Sequence, residues 1–236
     1  MISAARTHIG KVRASNQDAI LVCPGKYGIY GVADGMGGHK AGDVASRIAV
    51  AVVEEKLRDE QPSPQKLQSA IEEANYQIYQ KQLNNPDYSG MGTTMTVIWE
   101  DQNRVLLGHV GDSRAYRIRQ KGIGQISQDH SMVAEMVRQG LITDEEARVH
   151  PYRNIITRAL GTDSTVEVDV AEWDKQEGDL YLLCSDGLSE YVREEGMLYI
   201  LSRHPSLEES ADVLLTMALE GGGRDNISLI LAEVTA

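Results

Sequence analysis

Two pairs of helical stretches interrupt a series of short strand-like runs, and this order is the strongest constraint the sequence places on its fold. Residues 2–8, 18–23 and 28–33 read as strands, parted by Gly10 and by Pro24-Gly25-Lys26. From Lys40 to about Leu57 the spacing becomes helical, with Val44, Ile48, Val52 and Leu57 on a stripe beside Ala45 and Ala49. Pro62-Ser63-Pro64 ends that helix and starts the next, with Ser63 as N-cap, Pro64 as first residue, and Leu67, Ile71, Ala74 and Ile78 as the apolar stripe. After a loop at 84–92, residues 93–99, 104–110, 113–119 and 124–127 read as a meander. Residues 129–162 change to short helical pieces, with Met132, Val133, Met136 and Val137 on one face and a capping box from Thr143 to Glu146. Strands resume at 166–173 and 179–185. Helices at 194–203 and 207–220 follow, the second capped by Ser206 with Glu209, and a strand at 227–234 comes last. A parallel sheet needs strict alternation of strand and helix, which this order lacks. The pattern predicts an α+β fold, two antiparallel sheets packed together with a helix pair on each outer face, and residues 129–162 as a subdomain insertion.

No repeat or linker divides the 236 residues, so a single domain over 1–236 is expected. Because the chain has no Phe, Leu, Ile, Val, Tyr and Met must fill its core. Cys23 and Cys184 both fall inside apolar strand-like runs, which predicts buried reduced thiols and a reducing cytosol. The first residues lack the apolar stretch of a signal peptide, and no run approaches the roughly 18 apolar residues of a membrane span. The expectation is a cytoplasmic monomer. A formal net charge of -12 argues against nucleic-acid and anionic-membrane partners. It leaves room for a phosphorylated substrate if bound divalent cations reverse the local sign.

Acidic residues recur where the apolar runs begin and end. Asp34 follows the run at 29–33 and precedes Gly35-Met36-Gly37-Gly38, glycines that let backbone turn and approach a ligand closely. Asp186 ends the run at 180–185, whereas Asp18 and Asp225 open strands. In antiparallel sheets the ends of one pair lie beside the starts of the other, so all four acids can share one rim. Four unpaired carboxylates there would repel one another, which implies bound cations; hard ions take oxygen ligands. Asp112 sits where another strand ends, in Val110-Gly111-Asp112-Ser113-Arg114. Pairing with Arg114 or capping a turn is the alternative reading for it.

Taken together these segments resemble the metal-dependent protein serine/threonine phosphatases of the PP2C (PPM) family, in its compact bacterial form. The resemblance rests on an ordered set spanning nearly the whole chain: Arg13 with Asn16-Gln17-Asp18, Asp34-Gly35-Met36-Gly37-Gly38, Gly92-Thr93-Thr94, Gly111-Asp112-Ser113-Arg114, Ser185-Asp186-Gly187 and Gly223-Arg224-Asp225-Asn226. It implies an α-β-β-α sandwich and a site for two Mn²⁺ or Mg²⁺ ions. Asp34 would bridge them, Asp186 and Asp225 would complete one ligand set, and the Gly35 carbonyl would bind the other ion. Asp18 would act through water, and Asp112 with Asp186 matches the third-ion position of bacterial members. Arg13 matches the arginine that grips the substrate phosphate, a role suited to bidentate hydrogen bonding. Where eukaryotic members carry a histidine after the first Asp-Gly, this chain has Met36; His39 is a candidate substitute general acid, with an exposed or merely supporting histidine as the other reading, and water on a third ion is an alternative proton source, so the acid stays unassigned.

The implied activity is hydrolysis of phosphoserine or phosphothreonine in proteins, reversing a bacterial Ser/Thr kinase. Residues 129–162 match the family's flap, beside the site. Two rivals stand against it. A phosphoprotein-binding pseudophosphatase would be expected to lack a metal acid, yet all four are present; a phosphodiesterase or nuclease fits poorly with the net acidity and the lack of basic aromatic patches.

Overall fold

A computed structural model of the chain describes residues 1–37, 41–203 and 206–235. Strands β1 (Ile2–His8), β2 (Asp18–Cys23) and β3 (Ile29–Met36) lead into helices α1 (Ala41–Leu57) and α2 (Pro64–Asn84). Strands β4 (Gly92–Thr93), β5 (Met95–Glu100), β6 (Arg104–Val110), β7 (Arg114–Arg119) and β8 (Gly122–Gln125) follow, and α3 (Met132–Arg138) and α4 (Asp144–Val149) lie in the insertion. Then come β9 (Asp169–Asp174), β10 (Leu180–Cys184), α5 (Asp186–Ser189), α6 (Glu194–Leu201), α7 (Leu207–Gly221) and β11 (Ile227–Glu233). One sheet has the order β1-β11-β10-β7-β8 and the other β2-β3-β5-β6-β9, with β4 added beside β3. Every strand pair is antiparallel.

Alternation along the strands separates three apolar layers. In β11, Leu229 and Leu231 face α7 and pack with Leu214 and Ala218, whereas Ile230 and Ala232 turn inward. There they meet Tyr30 and Val32 of β3, whose neighbours Ile29 and Ala33 pack on the other side with Ala45, Ala49 and Ile71 from the first helix pair. A one-residue slip in either strand would send every one of these side chains to the wrong layer, so the register is tightly specified. The expected α-β-β-α sandwich is therefore built by period-two patterning, and Trp99 joins the aliphatic residues and tyrosines in a core without Phe.

Four local expectations are corrected. β3 does not stop before Asp34 but runs through it to Met36, because β4 pairs Thr93 with Gly35 and Gly92 with Met36. The meander is split: β5 and β6 belong to one sheet, β7 and β8 to the other, and the chain crosses between them at residues 111–113. In α1, Val44 and Ile48 only flank the core, and the buried face is Ala45, Ala49, Val52, Val53 and Leu57. Helix α5 was not expected, since four residues are too few to show a period. The expected capping box of the insertion holds, with Thr143 and Glu146 paired reciprocally, and Ser131 additionally caps α3 by accepting from the Ala134 amide.

Candidate metal centre

Both sheets deliver acids to the same rim. β2 and β3 set Asp18 directly opposite Asp34, an arrangement of like charges that costs stability unless something neutralises it. The Asp34 backbone is fixed from the end of β4 and the residue that joins it to β5: its N–H donates to Thr94 Oγ1 at 2.8 Å, and its carbonyl accepts from Thr93 Oγ1 and the Thr94 amide, each at 2.9 Å. From the other sheet, Ser185 Oγ donates to Asp18 Oδ2 at 2.8 Å and accepts from the Ser228 amide at 3.0 Å. That hydroxyl ties the two sheets together beneath the acids. Asp186 follows as the first residue of α5.

Gly35 sits beside Asp34 because nothing larger fits. A Cβ there would collide with the carbonyl oxygens of Gly42 in α1 and of Gln17. The Gly35 amide donates to that same Gln17 carbonyl at 3.2 Å, and Ser46 Oγ of α1 donates to it at 2.6 Å. Helix, strand and loop thus meet at one crowded point.

Burial and mutual repulsion raise the pKa values of Asp34, Asp186, Asp18 and Asp112. Asp34 is raised well above the ordinary carboxylate value, first by burial and then by the charges of Asp18, Asp186, Asp112 and Asp225. Asp186 is raised in the same way, by burial and then by Asp112, Asp225, Glu190 and Asp18. Burial lifts Asp18 to about 6 and Asp112 to about 7. Of the four buried side-chain polar atoms without a partner among the described residues, two are the Oδ1 atoms of Asp18 and Asp186. Unpartnered buried oxygens in a ring of like charge fit a divalent cation, which satisfies both needs. Among the described residues no three His, Cys, Asp or Glu side chains form a cage around one point. Mg²⁺ and similar ions keep much of their shell as water and take one or two carboxylates each, so such a cage is not required.

The loop before β2 carries Arg13 to the rim, where Nη2 donates to Asp225 Oδ2 at 2.6 Å while about half the side chain stays exposed. Asn226 fixes that loop. Its Oδ1 accepts from the Gln17 amide at 2.8 Å, and its Nδ2 donates to the carbonyls of Ile9 at 2.9 Å and Ser15 at 3.0 Å. Asp112 lies in the crossing between the sheets. Pairing with Arg114, one half of the alternative reading for it, is not what the structure shows: Arg114 pairs with Asp129, by Nε and Nη2 at 2.7–3.1 Å. The structure thus gathers Asp18, Asp34, Gly35, Asp112, Asp186, Asp225 and Arg13. His39 lies outside the described residues. Glu190, one turn beyond Asp186, adds a further charge near Asp112 and Asp186 that the sequence did not single out. Its i, i+4 spacing from Asp186 was the available signal.

Comparison with known proteins agrees with this geometry. The family model for protein phosphatase 2C matches residues 6–220. The serine/threonine phosphatase stp of Listeria innocua is 40% identical over 236 residues, covering 97% of this chain and 94% of that protein. The serine/threonine protein phosphatase PstP of Mycobacterium tuberculosis is 42% identical over 234 residues, but the match spans 98% of this chain and only 44% of PstP. A crystal structure of the PstP catalytic domain in complex with two manganese ions superposes with a TM-score of 0.91 at 40% identity, covering 100% of this chain and 98% of that one.

Proposed function

The chain belongs to the protein phosphatase 2C family, and from that membership we propose that it is a metal-dependent protein serine/threonine phosphatase, one domain over residues 1–236 with its flap at about 129–162. The observation that carries the proposal is the rim of buried acids, with oxygens on Asp18 and Asp186 that have no partner among the described residues. Asp34, Asp186, Asp225 and the Gly35 carbonyl would hold two divalent ions, Mn²⁺ or Mg²⁺, with Asp18 acting through water and Asp112 with Asp186 serving a third. Bound there, such ions lower the pKa of water and neutralise charge on phosphoryl oxygens.

Around that chemistry the chain's own groups have separate tasks. Arg13 stands half-exposed at the rim, and its planar fork matches two oxygens of a phosphate monoester. Asn226 holds the loop that presents Arg13, and Ser185 orients Asp18. In the reaction water adds to phosphorus, the bond from phosphorus to the seryl or threonyl oxygen breaks, and that oxygen takes up a proton. No phosphoenzyme forms on cysteine: Cys184 is fully buried, and burial pushes its thiol up to about 12. Cys23 is likewise raised by burial and lies at the far end of β2 from Asp18.

The substrates are phosphoserine- and phosphothreonine-bearing proteins, supplied by an opposing Ser/Thr kinase, and the enzyme works in the cytoplasm as a monomer. Among the described residues no helix is long and apolar enough to cross a membrane. Phosphate release from a phosphothreonine peptide, measured with Mn²⁺, with Mg²⁺ and with EDTA, tests the activity. Turnover should require metal and fall by at least about 10²-fold in Asp34→Asn, as loss of a metal ligand implies. Near-wild-type turnover by that variant in saturating Mn²⁺ would sink the assignment.

A further inference from the structure

The root of the flap is joined to the crossing loop by one histidine. His130, 5% exposed, donates its backbone N–H to the Gly111 carbonyl at 2.8 Å, and its ring Nδ1 accepts from the Gly111 amide at 3.0 Å. Both polar groups of the residue preceding Asp112 are therefore committed to His130. Gly111 is held in a strained place as well: its φ is +113°, and a Cβ would lie 2.6 Å from Thr94 Cβ. The crossing has no slack of its own to take up a shift.

The same histidine gathers the far end of the flap. Its carbonyl accepts from the Thr157 amide at 2.8 Å, where the chain returns from the insertion. Because Nδ1 is an acceptor, the ring proton belongs on Nε2, which points to Asp169 Oδ2 at 3.2 Å on β9. Arg158 Nη1 lies 2.9 Å from that nitrogen, but a guanidinium only donates, so its bond goes to Asp169 Oδ1 at 2.7 Å. The imidazole also stacks on buried His109, with ring centroids 4.9 Å apart. His109 is itself pinned between Thr96 and the Gln128 carbonyl. Asp169, Arg158 and His109 thus lock the ring in the one orientation that can accept from Gly111.

We propose that His130 is a positioning residue for Asp112: through the Gly111 peptide it seats the flap root and the Asp112 carboxylate as one unit. This rests on the reading of Asp112 as an ion ligand. Partners that orient a ligand from behind typically govern metal affinity by about 10–100-fold, and here the partner acts through one peptide. What sets His130 apart from a histidine that only packs is where its bonds go: its amide and Nδ1 both end on Gly111, the residue preceding Asp112 and 19 positions back in the chain.

The test is Mn²⁺ titration by calorimetry of the metal-stripped full chain, with folding followed by circular dichroism. Asp112→Ala should remove the weakest Mn²⁺ binding event and so identify it. His130→Leu should weaken that same event by about 10–100-fold and leave the tighter ones near wild type. His130→Asn, whose Oδ1 can replace Nδ1 as acceptor for Gly111, should recover most of the affinity, and a residue present only for packing would show no such rescue. Asp169→Ala, on a half-exposed side chain, should weaken the event several-fold without threatening the fold, which keeps the question open to experiment even where His130→Leu does not fold. Wild-type affinity in folded His130→Leu or in Asp169→Ala overturns the proposal, as does equal loss in the Asn and Leu variants. An unchanged isotherm for Asp112→Ala would instead overturn the ligand assignment, and the role of His130 with it.

Discussion

Replacing Asn226 with Ala should cost both stability and substrate affinity, and the structure sets the size of each. The side chain is 4% exposed and makes three hydrogen bonds, to the Gln17 amide and to the Ile9 and Ser15 carbonyls. Those three partners are partly exposed, so water can reach them once the amide is gone. Taking about 1 kcal/mol for each net bond gives a loss of about 3 kcal/mol. For a domain of this size the melting temperature should then fall by about 6–12 °C. The catalytic effect should be unequal. Asp34 and Asp186 are held by other contacts, whereas Arg13 rides on the released loop, so KM for a phosphopeptide should rise more than kcat falls. Asn226→Asp should be no milder, since it keeps the acceptor for Gln17 but turns a carboxylate oxygen toward two carbonyls. Urea unfolding and steady-state kinetics on both variants measure this. Stability within about 0.5 kcal/mol of wild type together with an unchanged KM would refute the reasoning, and would mean that the Lys11–Gly223 backbone bond suffices to hold the loop.

Three further outcomes follow from the same structure. Gly35→Ala should lose more than about 3 kcal/mol or fail to fold, because its Cβ meets backbone rather than a movable side chain, as chemical denaturation would show. Asp179 is buried, which alone would raise its pKa, but hydrogen bonds from Arg119 and from the Gln176 amide outweigh that and lower it. A depressed carboxylate pKa stabilises above the unfolded value; Arg119→Met should therefore cost about 1–3 kcal/mol near neutral pH, and its gap from wild type should close in urea titrations as pH falls below about 4. Asp186→Asn should melt higher than wild type in EDTA yet gain less from added Mn²⁺, each kcal/mol appearing as about 2–4 °C in a thermal scan.

Much of the sandwich was legible because period-two alternation and helix caps are local signals. Ser63, Thr143 and Ser206 cap the helices they were expected to cap. The four acids were legible too, since antiparallel pairing brings strand starts beside strand ends, and Asp18 does face Asp34. What escaped depends on contacts between distant parts of the chain. Asn226 and Ser185 were visible as members of motifs, but their partners lie 209 and 167 residues away in sequence. Likewise, no local pattern announces that the chain changes sheets at Gly111, since a strand, a glycine turn and another strand read the same whether the two strands pair or part. His130 escaped for that reason, as its role exists only once the insertion folds back onto the crossing.

Polar side chains at this rim fall into two groups, and the division separates holding the fold from serving the chemistry. Asn226 and Ser185 have their hydrogen-bonding groups met by the protein, so removing either forfeits those bonds and lowers stability. Asp18 and Asp186 each keep an oxygen that no described residue satisfies, among neighbours of the same charge. Had the fold met those oxygens with its own donors, the rim would be more stable and would have little affinity left for a cation. On the proposed reading, the unfavourable energy of the bare acids is thus the counterpart of the ion affinity they would have. It can persist only because both sheets, α1 and the Asn226-held loop fix the acids where repulsion cannot push them apart. The supporting residues would therefore be as necessary to the proposed chemistry as the acids themselves: without them the carboxylates would move apart, relax into water and lose the crowding that would draw a cation in.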